Sequence, residues 1–314
     1  MPGLYQIADA AFRGLILSNA EVECLYDGGR WLEGPLWLAD SEQLLFSDIP
    51  EDCVLRWAPG MGVGVFSRGG HQNGRTRDRW GRVVACEHGG RRLVAREPDG
   101  RLSVLASHHQ GKRLNSPNDV VARADGSLWF TDPDYGILTD YEGVRSAPEQ
   151  PACHVFRLDA GAGEPQAVVG TMVKPNGLAF SPDGQWLYVA ESGGSHVAAT
   201  PPEIRRFAWQ PGGALQPAGV LATLDCGLPD GMAVDEHGNV WSSAGDGVHC
   251  FAPDGTLLGK LHLGCVTSNL CFGGPRGNRL FITSAKRLFA LHVAVRGAPE
   301  ACAAAPLETR QAPR

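Results

Sequence analysis

Asn118-Asp-Val-Val-Ala-Arg-Ala-Asp-Gly-Ser-Leu-Trp-Phe-Thr-Asp132 opens on a polar residue, runs through two apolar stretches joined at Asp125-Gly126, and ends on an acid. The outline recurs from Glu33 to Asp48, Asn73 to Glu87, Asn176 to Glu191, Asp230 to Ala244 and Asn269 to Ser284. Successive starts lie 40, 45, 58, 54 and 39 residues apart. Self-similarity at a spacing of roughly 20–50 residues signals a solenoid or a propeller.

Each unit reads as four strands. The first follows the polar residue, as in Val120-Val-Ala122 and Leu178-Ala-Phe180. Gly at Asp125-Gly126, Asp183-Gly184 and His237-Gly238 supplies the positive φ of a tight turn. The second strand is apolar and aromatic: Leu128–Thr131, Leu187–Ala190, Val240–Ser243, Leu280–Thr283. Third strands follow at Val54–Trp57, Arg92–Ala95, His154–Arg157, Ile204–Phe207 and Gly247–Phe251. Pro-Asp-Gly at 98–100 and 253–255 turns the chain into a fourth, Leu102–Leu105 and Thr256–Leu258. No stretch keeps a helical period. The sixth unit lacks its fourth strand, but Val22–Gly29 leads into Glu33 as Val63–Gly70 leads into Asn73. The pattern predicts an all-β, six-bladed β-propeller of four-stranded blades, the last closed by an N-terminal strand that removes an exposed edge. Its boundaries are read as an extension over 1–14, one propeller domain over 15–297, and an Ala- and Pro-rich tail over 298–314. A sandwich or two small β domains would not need six equivalent polar starts.

Composition narrows the partners. The net charge of −6 and the absence of a basic stripe argue against nucleic acid. Arg75, Arg77, Arg79 and Arg82 are broken by Asp78 and read as a solvated face. No run is apolar enough to span a membrane, and the N-terminus lacks a signal-peptide pattern. Nine scattered cysteines without a Cys-x-x-Cys pair suit reduced thiols in a cytoplasm. The oligomeric state is not legible.

Nucleophile-elbow, Walker, dinucleotide and His-Glu-x-x-His motifs are absent. His108-His109 reads as a polar loop. Taken singly, Asn73-Gly74 and Asn176-Gly177 read as turns before they read as ligands, since Asn-Gly is a turn former. Glu33 and Asn118 resist that reading, because neither sits in a turn dipeptide. Gathered on an axis, carboxylates repel one another unless a cation or protons intervene. Glu33 and Asp230, with amide oxygens of Asn118 and Asn176, form a hard-oxygen set that favours Ca²⁺, with Mn²⁺, Mg²⁺ or Zn²⁺ as alternatives.

Glu-Gly-Pro at 33–35, Ser-Pro-Asn-Asp at 116–119, Phe-Thr-Asp-Pro at 130–133, Pro-Asn-Gly at 175–177 and Pro-Asp-Gly-Met at 229–232 resemble the gluconolactonase/regucalcin (senescence marker protein) family. Cys-Glu-His-Gly at 86–89, followed by Arg91-Arg92, resembles its bacterial gluconolactonase branch. The resemblance runs from about residue 15 to 297. It implies a six-bladed propeller with one catalytic divalent ion on the axis, held by Glu33, Asn176 and Asp230, with Asn118 touching metal or substrate. It also implies hydrolysis of a small sugar-acid lactone, the ion polarising the carbonyl. Asp230 is the candidate general base, with hydroxide on the ion as the alternative. Ser116 stands where the animal members have a substrate-binding Arg, which leaves the sugar open. Asn73, Asp132 and Tyr135 complete the candidate substrate contacts, Tyr135 from a segment, 133–153, that is either a lid or a surface insertion. Loop 192–203 lengthens blade four on the same rim. A phosphotriesterase or other lactone or aryl esterase on the same ion, and a propeller serving only as an interaction platform, stay open as alternatives.

Overall fold

The computed structural model describes residues 3–210 and 212–298. Its six inner strands are Leu32–Leu38, Gln72–Arg77, Val120–Ala122, Pro175–Phe180, Met232–Val234 and Thr267–Gly273. Each lies at one edge of an antiparallel sheet whose further strands follow in chain order. Blade one, for example, continues through Gln43–Asp48, Cys53–Ala58 and Gly62–Arg68. Each inner strand packs against the next, and Thr267–Gly273 returns to Leu32–Leu38, so the ring closes. The fourth strand of blade six is Glu23–Asp27, paired with Arg287–His292 in the register Glu23 to Ala290 and Asp27 to Arg287. The six-bladed, N-terminally closed propeller expected from the repeats is the fold.

Aromatic side chains fill the seams between blades. Trp37 of blade one stacks on Phe281 of blade six with ring centroids 5.3 Å apart. Trp129 of blade three meets Phe180 and Trp209 of blade four edge-on. Such pairs add about 0.5–1.5 kcal/mol beyond area burial.

Residues before the closing strand also pack on the ring. Tyr5–Ile7 adds a fifth strand to blade five, paired with Leu257–His262. A short 3-10 turn, Ala10–Gly14, then inserts Phe12, fully buried, against Trp241 and the blade-six side chains Leu280 and Leu291. Gly259 makes room for it: a Cβ there would lie 2.2 Å from the Phe12 ring. Emptying a buried Phe site costs about 3–5 kcal/mol, so residues 5–14 hold blades five and six together. The tail lies outside the described residues from residue 299 onward, and Cys302 with it. Among the described residues Cys24, Cys53, Cys86, Cys153, Cys226, Cys250 and Cys265 carry free thiols. No helix among the described residues is long and apolar enough to cross a membrane.

Two local readings change. Asn73-Gly74 and Asn176-Gly177 are strand residues, not turns. Their glycines are required by close approach: a Cβ on Gly74 would lie 2.7 Å from Asn118 O, and one on Gly177 would lie 2.2 Å from Asp230 O. His108–His109 is a two-residue strand paired with Lys112–Arg113, its His109 ring bonded to Pro165 O, away from the axis.

Candidate active site

Three devices aim the polar starts at the axis. The first is a repeated irregularity in pairing: the inner strands slip register between Glu33 and Leu36, Gln72 and Arg75, Pro175 and Leu178, and Thr267 and Asn269. Bulges re-aim a side chain in this way. The second is a backbone bond from one blade to the next at three of the seams. Gly74 N donates to Asn118 O (2.8 Å), Gly177 N to Asp230 O (3.0 Å) and Gly231 N to Ser268 O (2.7 Å). The third explains the acidic ends of the runs. Asp48 accepts from Arg30 N and Trp31 N, Asp132 from Asn115 N, and Glu191 from Val173 N and Lys174 N. Each acid pins the loop that leads into its own blade's polar start.

The result is a cavity of about 340 Å³ at one mouth of the channel. Glu33, Asn73, Asn118, Asn176 and Asp230 line it, together with Tyr135, Glu142, Ser192 and Ser195. The predicted ligands thus meet in one place. Ser116 and Asp132 do not line it. Ser116 is fully buried, donates from Oγ to Pro133 O and accepts from Gly136 N, so it holds the start of the blade-three insertion. Asp132 is fully buried beside Asn115, and burial pushes its carboxyl up to about 7.

The electrostatics of the floor are those of two carboxylates with too little countercharge. Burial pushes Glu33 up to about 8, against hydrogen bonds from Gly34 N (2.8 Å) and Asn269 Nδ2 (3.1 Å) to its Oε2. Asp230 is raised well above the ordinary carboxylate range by burial and then by Glu33. Arg75 lies across the channel from the cavity and answers only part of this. Expected on a solvated face, it is 5% exposed and donates to Gly34 O and Ser47 Oγ. Its position on an inner strand, where neighbouring blades converge, accounts for the difference.

The insertion after Asp132 meets loop 192–203 over the cavity. Tyr135 OH lies 3.2 Å from Ser192 O and 3.1 Å from Ser195 Oγ, and Lys174 pairs with Asp134 below the Tyr135 ring. The two long loops therefore latch across blades three and four. Sequence reading missed Glu142 and His88. Glu142 lines the cavity from the insertion, and His88, fully buried, bonds its backbone carbonyl. Cys-Glu-His-Gly at 86–89 was the available signal for His88.

The donor set fits a hard divalent cation. Glu33 and Asp230 bring two buried carboxylates into one cavity, where Glu33 adds to the raising of Asp230, and Asn118 and Asn176 add neutral amides. No cluster of three or more His, Cys, Asp or Glu with metal-site geometry occurs among the described residues. Two carboxylates plus amides describe the site.

Residues 31–286 match the family model described as SMP-30/Gluconolactonase/LRE-like region. The gluconolactonase of Zymomonas mobilis is 32% identical over 292 residues, 85% of this chain and 79% of that protein. The 6-deoxy-6-sulfogluconolactonase of Pseudomonas putida is 35% identical over 268 residues, 81% of this chain and 83% of that protein. The solved structure of a Xanthomonas campestris gluconolactonase superposes with a TM-score of 0.86 at 38% identity, covering 93% of this chain and 95% of that one.

Proposed function

The chain belongs to the SMP-30/gluconolactonase/LRE-like family, and on that premise we propose that it hydrolyses a sugar-acid lactone in the axial cavity. Glu33, Asn176 and Asp230 hold a divalent cation, Ca²⁺ by the hardness of the donors. When bound, the cation supplies Lewis-acid polarisation of the lactone carbonyl. Asp230 holds the attacking water at a carboxylate oxygen, takes its proton as the water oxygen adds to the carbonyl carbon, and returns it to the ring oxygen as the lactone C–O bond breaks. Its backbone N–H donates to Ser243 Oγ at 3.0 Å, which holds the Asp230 backbone at the cavity. Asn118, fixed by its own N–H to Thr131 O at 2.9 Å, orients the lactone. Tyr135 and Ser195 keep bulk water from the ring. The scattered cysteines, without a Cys-x-x-Cys pair, support a reducing compartment such as the cytoplasm.

One observation carries the reading: two buried carboxylates, Glu33 and Asp230, face one cavity, both raised by burial and Asp230 further by Glu33. The test is hydrolysis of glucono-1,5-lactone followed by a pH indicator. EDTA should abolish it, and re-added Ca²⁺, Mn²⁺, Mg²⁺ or Zn²⁺ should restore it to different degrees. Activity unaffected by EDTA would sink the cation; turnover of a paraoxon-type ester but of no lactone would sink the lactonase.

A further inference from the structure

Two acceptors on the blade-two side of the cavity have no part in the mechanism above. Glu142 reaches the cavity from the blade-three insertion, and its carboxylate accepts no hydrogen bond from any described residue. Its backbone carbonyl lies 3.0 Å from His88 Nδ1. A carbonyl only accepts, so Nδ1 carries the proton. Burial holds His88 neutral, with its pKa lowered to about 4, which leaves the lone pair on Nε2. That nitrogen lies 3.2 Å from Nδ2 of Asn73, which donates to it. The Asn73 amide is thereby fixed in orientation. Its Oδ1 is left buried, with no partner among the described residues, on a residue that is 3% exposed and lines the cavity. A buried acceptor without a donor is costly unless a ligand supplies one.

His88 thus ties together two open acceptors, one neutral and one acidic. Among the described residues that line the cavity there is no Lys or Arg. Lys174 faces Asp134 and the Tyr135 ring, and Arg75 faces Gly34 O and Ser47 across the channel.

We propose that Glu142 and Asn73 are specificity-determining residues that admit neutral polyhydroxy lactones and turn away lactones bearing an anionic substituent. The proposal rests on the lactonase reading and narrows its substrate class. A sugar hydroxyl carries the proton that both acceptors need. A phosphate, sulfonate or uronate group near pH 8 has no proton to give and meets a carboxylate on a stretch of wall with no Lys or Arg to pair it. Placing like charges together in an interface costs several kcal/mol and is a usual means of rejecting a wrong partner.

The experiment compares kcat/KM for glucono-1,5-lactone and for its 6-phospho derivative, in the wild type and in Glu142→Gln. The wild type should prefer the neutral lactone by about a hundredfold or more. Glu142→Gln should lower kcat/KM for the neutral lactone through KM and raise it for the phosphorylated one, shrinking the ratio by about tenfold. A second readout needs no variant: sorbitol should inhibit the wild type competitively, and sorbitol 6-phosphate should not. A wild type that hydrolyses both lactones within about threefold overturns the proposal while leaving the lactonase reading intact. So does inhibition by sorbitol 6-phosphate at least as strong as by sorbitol, or, in a folded Glu142→Gln, an unchanged ratio. No turnover of either lactone overturns both.

Discussion

The same six strands line both mouths of the channel, yet the two mouths carry different charged groups. At one, Glu33, Asn73, Asn118, Asn176 and Asp230 face a roofed cavity. At the other, the strands present Val120–Ala122, Leu178–Phe180, Met232–Val234 and Leu270–Phe272 around an open funnel. Arg75, Asp119 and Asn269 separate the two, with Asn269 bonded to Glu33 and Asp119 folded back on Val120 N at 2.9 Å. A shift of one or two residues along each strand exchanges a cavity holding Glu33 and Asp230 for a funnel in which aliphatic side chains alternate with Thr76, Arg77 and Ser181. The difference is set by depth along the strand, since the backbone is continuous.

If chemistry is confined to the first mouth, the largest effects belong there. Glu33→Gln and Asp230→Asn should each lower kcat by about a thousandfold or more, roughly 4 kcal/mol of barrier. Calorimetric titration should show each losing its divalent ion with the fold intact. The metal-free protein offers a second reading. Glu33 is raised in the folded state to about 8, so its protonated form stabilises the fold below the unfolded value near 4.5, and that contribution is lost as pH rises through 8. In EDTA the wild-type melting temperature should fall between pH 5 and 8, and that of Glu33→Gln should fall less. Wild-type turnover in either variant would end the comparison between the mouths.

Next come the glycines that fuse the blades between the two mouths. A Cβ on Gly177 would lie 2.2 Å from Asp230 O, the carbonyl that its own N–H bonds at 3.0 Å. Gly177→Ala should cost about 1–3 kcal/mol in overpacking and lower activity by about tenfold, because Asp230 is displaced. Gly64→Ala, on the outer strand of blade one with nothing within 4 Å of the added carbon, is the control and should do neither. A Gly177→Ala that melted and turned over like the wild type would mean the strands are not in contact there.

These cases show what the sequence discloses. The propeller was legible because each blade repeats its turn glycines and strand alternation, and the axial oxygens because Glu33 and Asn118 do not fit turn chemistry. Depth was not legible. Asp132 and Asn118 belong to the same repeat, but the acid at the far end of a run pins a loop, and repetition alone does not distinguish pinning from lining. Arg75 and Arg77 share a strand face, and only the convergence of neighbouring blades buries the first. Glu142 and His88 lie 54 residues apart on segments without periodicity, and their meeting depends on how the insertion folds back.

The roof should matter less than the floor. Tyr135→Phe removes one neutral hydroxyl from its contacts with Ser192 and Ser195, a loss of about 0.5–1.5 kcal/mol. KM for the lactone should rise severalfold while kcat stays within about twofold. A collapse of kcat would move Tyr135 from closing the cavity into the chemistry itself.

The smallest effect is expected at the far mouth, and it bears on the route the substrate takes. Arg77 lines the funnel, donates to Gly81 O and pairs with Asp40 at 3.0 Å, the aspartate side chain being 64% exposed. Exposed pairs of this kind contribute about 0–1 kcal/mol. Arg77→Gln should therefore leave the melting temperature nearly unchanged and kcat/KM for the lactone within about twofold. Arg77 does not line the cavity that holds Glu33, so a charge change there makes no direct contact with the axial site. If Arg77→Gln altered KM severalfold with no change in melting, substrate would be reaching the axis through the funnel, and the division between the two mouths would fail.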